Sequence, residues 1–152
     1  MTHTVWFEQP LTCPDCGRPS TRTGLHSEAL ADSPGNTYVH PGDVLLADAS
    51  DFGDAYLENE IPLRDTFSAI EQWECSHCNT VQWARLEFER IDEQHTRFTR
   101  ATPITLSLDA ISSSNYISHF IDLWIKTNTG DEASAIDMRI AQLVAARVQR
   151  WP

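Results

Sequence analysis

The chain has 152 residues, 41% of them hydrophobic, and a formal net charge of -11. That length and composition support a single globular domain with a real core, and no apolar run approaches the ~20 residues needed to span a bilayer. The acidity is concentrated between residues 28 and 65, where nine carboxylates stand against Arg64 alone. A surface of this sign repels phosphate backbones and disfavours nucleic-acid binding, whereas it attracts a basic protein and speeds their encounter.

In chain order, Val5-Trp6-Phe7 ahead of Pro10 reads as a short strand leading into Cys13-Pro14-Asp15-Cys16-Gly17, with residues 21–26 as its returning partner. Asp32-Ser33-Pro34-Gly35-Asn36 is dense in turn formers. Residues 37–40 and 43–46 flank Pro41-Gly42, a pattern for a hairpin or a sharply bent strand. Residues 28–65 are therefore expected to form an acidic insertion with structure of its own. Within it, Asp48, Asp51, Asp54, Glu58 and Glu60 surround Phe52-Gly53. Counted from Asp48, Gly53 falls where a calcium loop needs its glycine, but Phe52 and Asn59 occupy two ligand positions and the pattern fails. These five carboxylates read instead as a solvated loop that keeps the protein soluble or as the candidate face for a basic partner.

Residues 66–73 lead into Cys75-Ser76-His77-Cys78, and residues 81–91 lead out as the clearest strand of the chain. The apolar phase of that strand is odd at Val81 and Trp83 but even at Leu86 and Phe88, which predicts a β-bulge near Ala84-Arg85. Asp92-Glu93-Gln94-His95 is a polar turn after which residues 96–100 pair back, and Ile104, Leu106 and Leu108 alternate with Thr105 and Ser107 as a further strand. The period then changes. Ile117, Phe120, Ile121, Trp124 and Ile125 follow helical spacing behind candidate caps at Ser112, Ser113 and Ser114. Thr129-Gly130-Asp131-Glu132 reads as a capping box for a second helix with the stripe Ile136, Ile140, Leu143, Val144, Val148 and Trp151. The expected fold class is α+β: residues 1–108 form an antiparallel β domain and residues 109–152 a two-helix hairpin packed on it. An uncovered helix face would be available for a homodimer.

All four cysteines lie in the two Cys-x-x-Cys pairs, Cys13/Cys16 and Cys75/Cys78. Two intervening residues let a turn present both sulfurs to one ion, so this is the arithmetic of one tetrahedral four-thiolate zinc site, a closed shell without the open position a catalytic zinc needs. Gly17 suits the tight turn after the first pair because it tolerates positive φ. Two disulfides are an alternative that requires an oxidising compartment, and residues 1–6 carry neither the basic start nor the apolar run of a signal peptide; the expected location is cytoplasmic. A thioredoxin-like pair is a further alternative, without the helix after a buried strand that it requires. His77 reads as an exposed loop residue near the metal or as a replacement ligand.

Cys13-Pro14-Asp15-Cys16-Gly17 resembles the first knuckle of a zinc ribbon, and Trp73-Glu74-Cys75-Ser76-His77-Cys78-Asn79-Thr80 resembles the second. The 58 residues between the knuckles (17–74) depart from the roughly 15–20 of a usual zinc ribbon. The resemblance implies a local fold and a structural Zn2+, and says little about activity.

No Walker loop, Rossmann glycine fingerprint, His-Glu-x-x-His or Gly-x-Ser-x-Gly motif is present. His26-Ser27-Glu28 matches half of a zinc-deaminase signature, which would use His26, Cys75 and Cys78, but the proline before the downstream pair is missing and Cys13 and Cys16 would be idle. His26, His40 and Asp43 have no spacing that demands a shared site. The expectation is a non-catalytic, zinc-stabilised protein-binding module, such as an immunity or inhibitor protein masking a basic partner. The alternatives are a nucleic-acid-associated zinc ribbon, with Arg18, Arg22, Arg85, Arg90, Arg97 and Arg100 near the knuckles, and a zinc-dependent hydrolase or deaminase.

Overall fold

The computed structural model describes residues 2–30, 37–46, 56–58 and 64–118. These carry eleven strands and one short helix. In chain order they are β1 (Thr2–Phe7), β2 (Leu11–Thr12), β3 (Pro19–Ser20), β4 (His26–Leu30), β5 (Thr37–Val39), β6 (Val44–Leu45), β7 (Tyr56–Glu58), β8 (Thr66–Glu74), β9 (Val81–Arg90), β10 (Thr96–Ile104), α1 (Leu108–Ser112) and β11 (Tyr116–Ser118).

A six-stranded sheet in the order β6-β10-β9-β8-β11-β7 is the frame, with a three-stranded sheet β4-β1-β5 against it and the small β2-β3 hairpin beside it. The long β8 and β9 pair antiparallel without interruption from Thr66 opposite Glu89 to Glu74 opposite Val81. One face of this ladder presents Phe67, Ala69, Leu86 and Phe88 to the interior, where Phe98 of β10 joins them. Phe7 of β1 closes the other side, with ring centroids 4.9 Å from Phe98 and 5.7 Å from Phe88. Phe67 stacks on Phe88 at 5.0 Å. Rings at such separations add edge-to-face and offset-stacked attraction to the area they bury. The Gln9 carboxamide both accepts from the Ala101 amide and donates to the Ala101 carbonyl, taking the place of a neighbouring strand at β10.

The α+β expectation is corrected: the described chain is mostly β. Ile117, the first residue of the expected helical stripe, lies in β11, which runs parallel to β8 and antiparallel to β7. Tyr116, Ile117 and Ser118 are all buried, and a strand covered on both faces loses the two-residue period that would mark it in sequence. The only described helix sits earlier, with Ser107 as N-cap accepting from the Ala110 amide, and Ser113 as its C-cap. The rest of the expected helical hairpin lies outside the described residues. Leu108 belongs to this helix and not to a strand, because β10 ends at Ile104.

Two further readings change. The β9 ladder to β8 is regular, and the bulge lies on β10, where Thr99 is the extra residue between Phe98 and Arg100. The shifting apolar phase of β9 has another cause: Gln82, Trp83 and Ala84 are buried in succession, so both faces of the strand are covered there. β5 and β6 do not pair with each other across Pro41-Gly42. β5 joins β1 in parallel, and β6 joins β10. The chain bends between sheets there, with Gly42 at φ +96° and the Asp43 carboxylate accepting from the His40 amide. Among the described residues, no helix is long and apolar enough to cross a membrane.

Candidate metal centre

Each cysteine pair folds into the same turn. The Cys13 amide donates to the Arg18 carbonyl and the Gly17 amide to the Cys13 carbonyl; the Cys75 amide donates to the Thr80 carbonyl and the Asn79 amide to the Cys75 carbonyl. The residue after the second cysteine has positive φ in both, +74° at Gly17 and 57° at Asn79. Glycine reaches that region without strain, and asparagine is among the few other residues that visit it routinely. The first turn is held by the β2-β3 hairpin, the second by the ends of β8 and β9.

The two turns face each other. Sγ of Cys13 is 3.7 Å from Sγ of Cys78, and Sγ of Cys16 is 3.6 Å from Sγ of Cys75. All four sulfurs lie within 4.8 Å of one another. Zn–S bonds of about 2.3 Å in a tetrahedron give sulfur–sulfur edges of roughly 3.8 Å, so the set fits one ion. A disulfide needs about 2.0 Å, and the four cysteines are free. Among the described residues, these four form the group that can hold a metal ion. Cys13 and Cys75 are buried, Cys16 and Cys78 exposed.

The surroundings fix the sulfurs. Buried Ser20 of β3 donates to Cys75 Sγ (3.7 Å) and accepts from the amide and the hydroxyl of Ser76, both at 3.1 Å. The His77 amide donates to Cys75 Sγ at 3.4 Å. Thr80 Oγ1 lies 2.9 Å from Cys78 Sγ, and Gln82 Nε2 donates both to Thr80 Oγ1 and to the Asp15 carboxylate of the other turn. The amides of Cys78 and His77, with Ser20, pull the Cys75 thiol down to about 6. Burial opposes ionisation of Cys13, yet the amides of Cys16 and Asp15 bring it below its ordinary value. At Cys16 the Arg18 amide favours the thiolate, but burial and the three neighbouring sulfurs push it up to about 11. Four sulfurs this close compete for negative charge, and a dication at their centre relieves that competition.

The other candidates separate from this centre. His77 is exposed and its Nε2 bonds the Pro19 carbonyl at 2.9 Å, so it ties the second turn to β3. His26 packs against Trp6 with the rings tilted and their centroids 4.8 Å apart, and places Nδ1 2.7 Å from the Gly24 carbonyl; it stands outside the cysteine group, and the His26, Cys75, Cys78 arrangement does not form. His40 and Asp43 do meet, with Glu8 as a third member at 2.9 Å from His40 Nε2, in an exposed cluster. Glu58 falls in β7; Asp48, Asp51, Asp54 and Glu60 lie outside the described residues. Sequence reasoning missed Ser20 and placed Asn79 and Thr80 in the second knuckle without giving either a role. Only Asn79 carried a local signal, its position matching Gly17 in the paired turn.

Comparison with protein-family models, with curated proteins and with solved structures finds no match for this chain.

Proposed function

We propose that the four thiolates hold a structural Zn2+ in a zinc-ribbon-like site, and that the protein is a non-catalytic binding module. The observation that carries this reading is the pair of sulfur edges at 3.7 and 3.6 Å, each joining one turn to the other. Four sulfurs complete the tetrahedron and leave no position for a water nucleophile. The ion clamps the β2-β3 hairpin to the ends of β8 and β9, a role that needs no reaction. The charge of the chain favours a basic protein as partner, engaged through the stretch of Asp48, Asp51, Asp54, Glu58 and Glu60, as an immunity or inhibitor protein would.

Two measurements test the reading. Cobalt-substituted protein should show the absorption of a tetrahedral four-thiolate ion, with four thiols becoming reactive only after chelation; a spectrum with three sulfurs and an exchangeable water would overturn the structural assignment. A variant carrying Asp48→Asn, Asp51→Asn, Asp54→Asn, Glu58→Gln and Glu60→Gln should lose the basic partner that the native protein captures at low salt. Equal capture by both would remove the acidic stretch from the interface.

A further inference from the structure

The β10 bulge has a chemical consequence on the sheet face opposite the aromatic core. Across β9 and β10, Phe98 opposes Phe88, and with Thr99 passed over, Arg100 opposes Glu87 and Thr102 opposes Arg85. In an unbulged ladder Thr99 would stand opposite Glu87, and Arg100 would be on the core face. The bulge therefore brings a second arginine to the face that already carries Arg85, which is how bulges re-aim side chains. Arg100 pairs with the Glu87 carboxylate through Nε. Arg85 is held from the other side by α1 and its cap: its guanidinium donates to Ser113 Oγ at 2.6 Å and to the Ala110 carbonyl at 3.4 Å. The Ser113 hydroxyl in turn donates to that carbonyl, so Arg85 is oriented by a group that is itself fixed.

Its Nε is buried, without a hydrogen-bond acceptor among the described residues, so a solute could meet this guanidinium only through its terminal N–H groups. Arg85, Arg100 and Glu87 line one cavity of about 400 Å3, together with Ser68, Thr99 and Ser113. Two guanidinium groups against one carboxylate leave this cavity an excess of one positive charge in a chain whose total is -11. Its volume falls in the ~300–1,000 Å3 range of small-molecule sites. An arginine presents its N–H groups as a planar fork that matches a carboxylate or a phosphate, and both Arg85 and Arg100 line this cavity.

We infer that this cavity is a site for a small molecule bearing an oxyanion head group, carboxylate or phosphate, received by Arg85 with Arg100 beside it. The site lies apart from the four cysteines and does not rest on the metal reading.

The test is titration of the full, metal-loaded chain with sodium acetate and with sodium phosphate at constant ionic strength, reading the side-chain guanidinium resonances of Arg85 and Arg100 by NMR, so that an Arg85 variant still reports through Arg100. A saturable shift with either anion supports the site, and the anion that saturates first identifies the head group. Arg85→Lys keeps the charge but removes the fork and should weaken binding roughly tenfold. Glu87→Gln removes the opposing carboxylate and should tighten binding by roughly tenfold, a gain that a folding defect would not produce. A linear, unsaturated response to both anions, or a saturating one unchanged in both variants, overturns the proposal.

Discussion

At the scale of single residues, the candidate metal centre depends on groups that are not among the four cysteines. Ser20 supplies a donor to Cys75 Sγ and an acceptor for the Ser76 amide, so Ser20→Ala removes both anchors. Outer partners of this kind typically change metal affinity about 10–100-fold, and Ser20→Ala is expected at the lower end of that range by competition with a chromophoric chelator. Asn79 at φ 57° accepts glycine more readily than a branched residue. Asn79→Val should cost about 1–2 kcal/mol in chemical denaturation, and Asn79→Gly should be close to neutral. Two carboxyl groups titrate below their ordinary 3.8: Asp43, through the His40 amide and ring, and Asp92, through the Gln94 amide and the His95 ring. The unfolded chain takes up protons at these sites first as pH falls. Their stabilising contribution is therefore full above pH 3.8 and is lost as pH drops through the folded values. Carboxyl NMR titration of the folded protein should place both midpoints below 3.8. The cysteine pairs were legible in the sequence because ligand spacing is local, whereas Ser20 acquires its role from a residue on a distant segment.

At the scale of elements, the aromatic cluster joins the two larger sheets. Phe88 is 1% exposed and meets Phe7, Phe67 and Phe98. Phe88→Ala should cost about 3–5 kcal/mol, seen as a lowered denaturation midpoint. Strands with one wet face, such as the alternating stretch of β8 near Phe67, announced themselves by a two-residue period. Those covered on both faces did not. Gln82, Trp83 and Ala84 imitated a bulge, and Tyr116, Ile117 and Ser118 imitated the opening of a helix. The bulge at Thr99 shifts the phase of β10, with Phe98 and Ala101 facing the core on either side of two exposed residues, but a lone alanine is too weak an apolar marker for that shift to be read from sequence.

At the scale of the whole molecule, residues of the acidic insertion do not stand apart. β5 extends the sheet of β1, β6 extends that of β10, and β7 lies on β11. These pairings were not legible because each joins segments distant in sequence, and two-residue periodicity names a strand without naming its neighbour. The proposed ion adds a link between the first turn and the second. Chelation should lower the unfolding temperature and expose the β2-β3 hairpin to proteolysis before the β8-β9 ladder, and restoring Zn2+ should reverse both changes.

The distance between the two turns along the chain also sets an order of events during synthesis. A ribosome that has released Cys13 and Cys16 must still deliver the 58 intervening residues before Cys75 appears. Until then the nascent polypeptide offers two thiolates, half a coordination shell, and tight metal capture awaits the later pair. Loading of the proposed site would thus be tied to translation past the midpoint of the message, and an interrupted product ending before Cys75 would leave the ribosome without the proposed clamp.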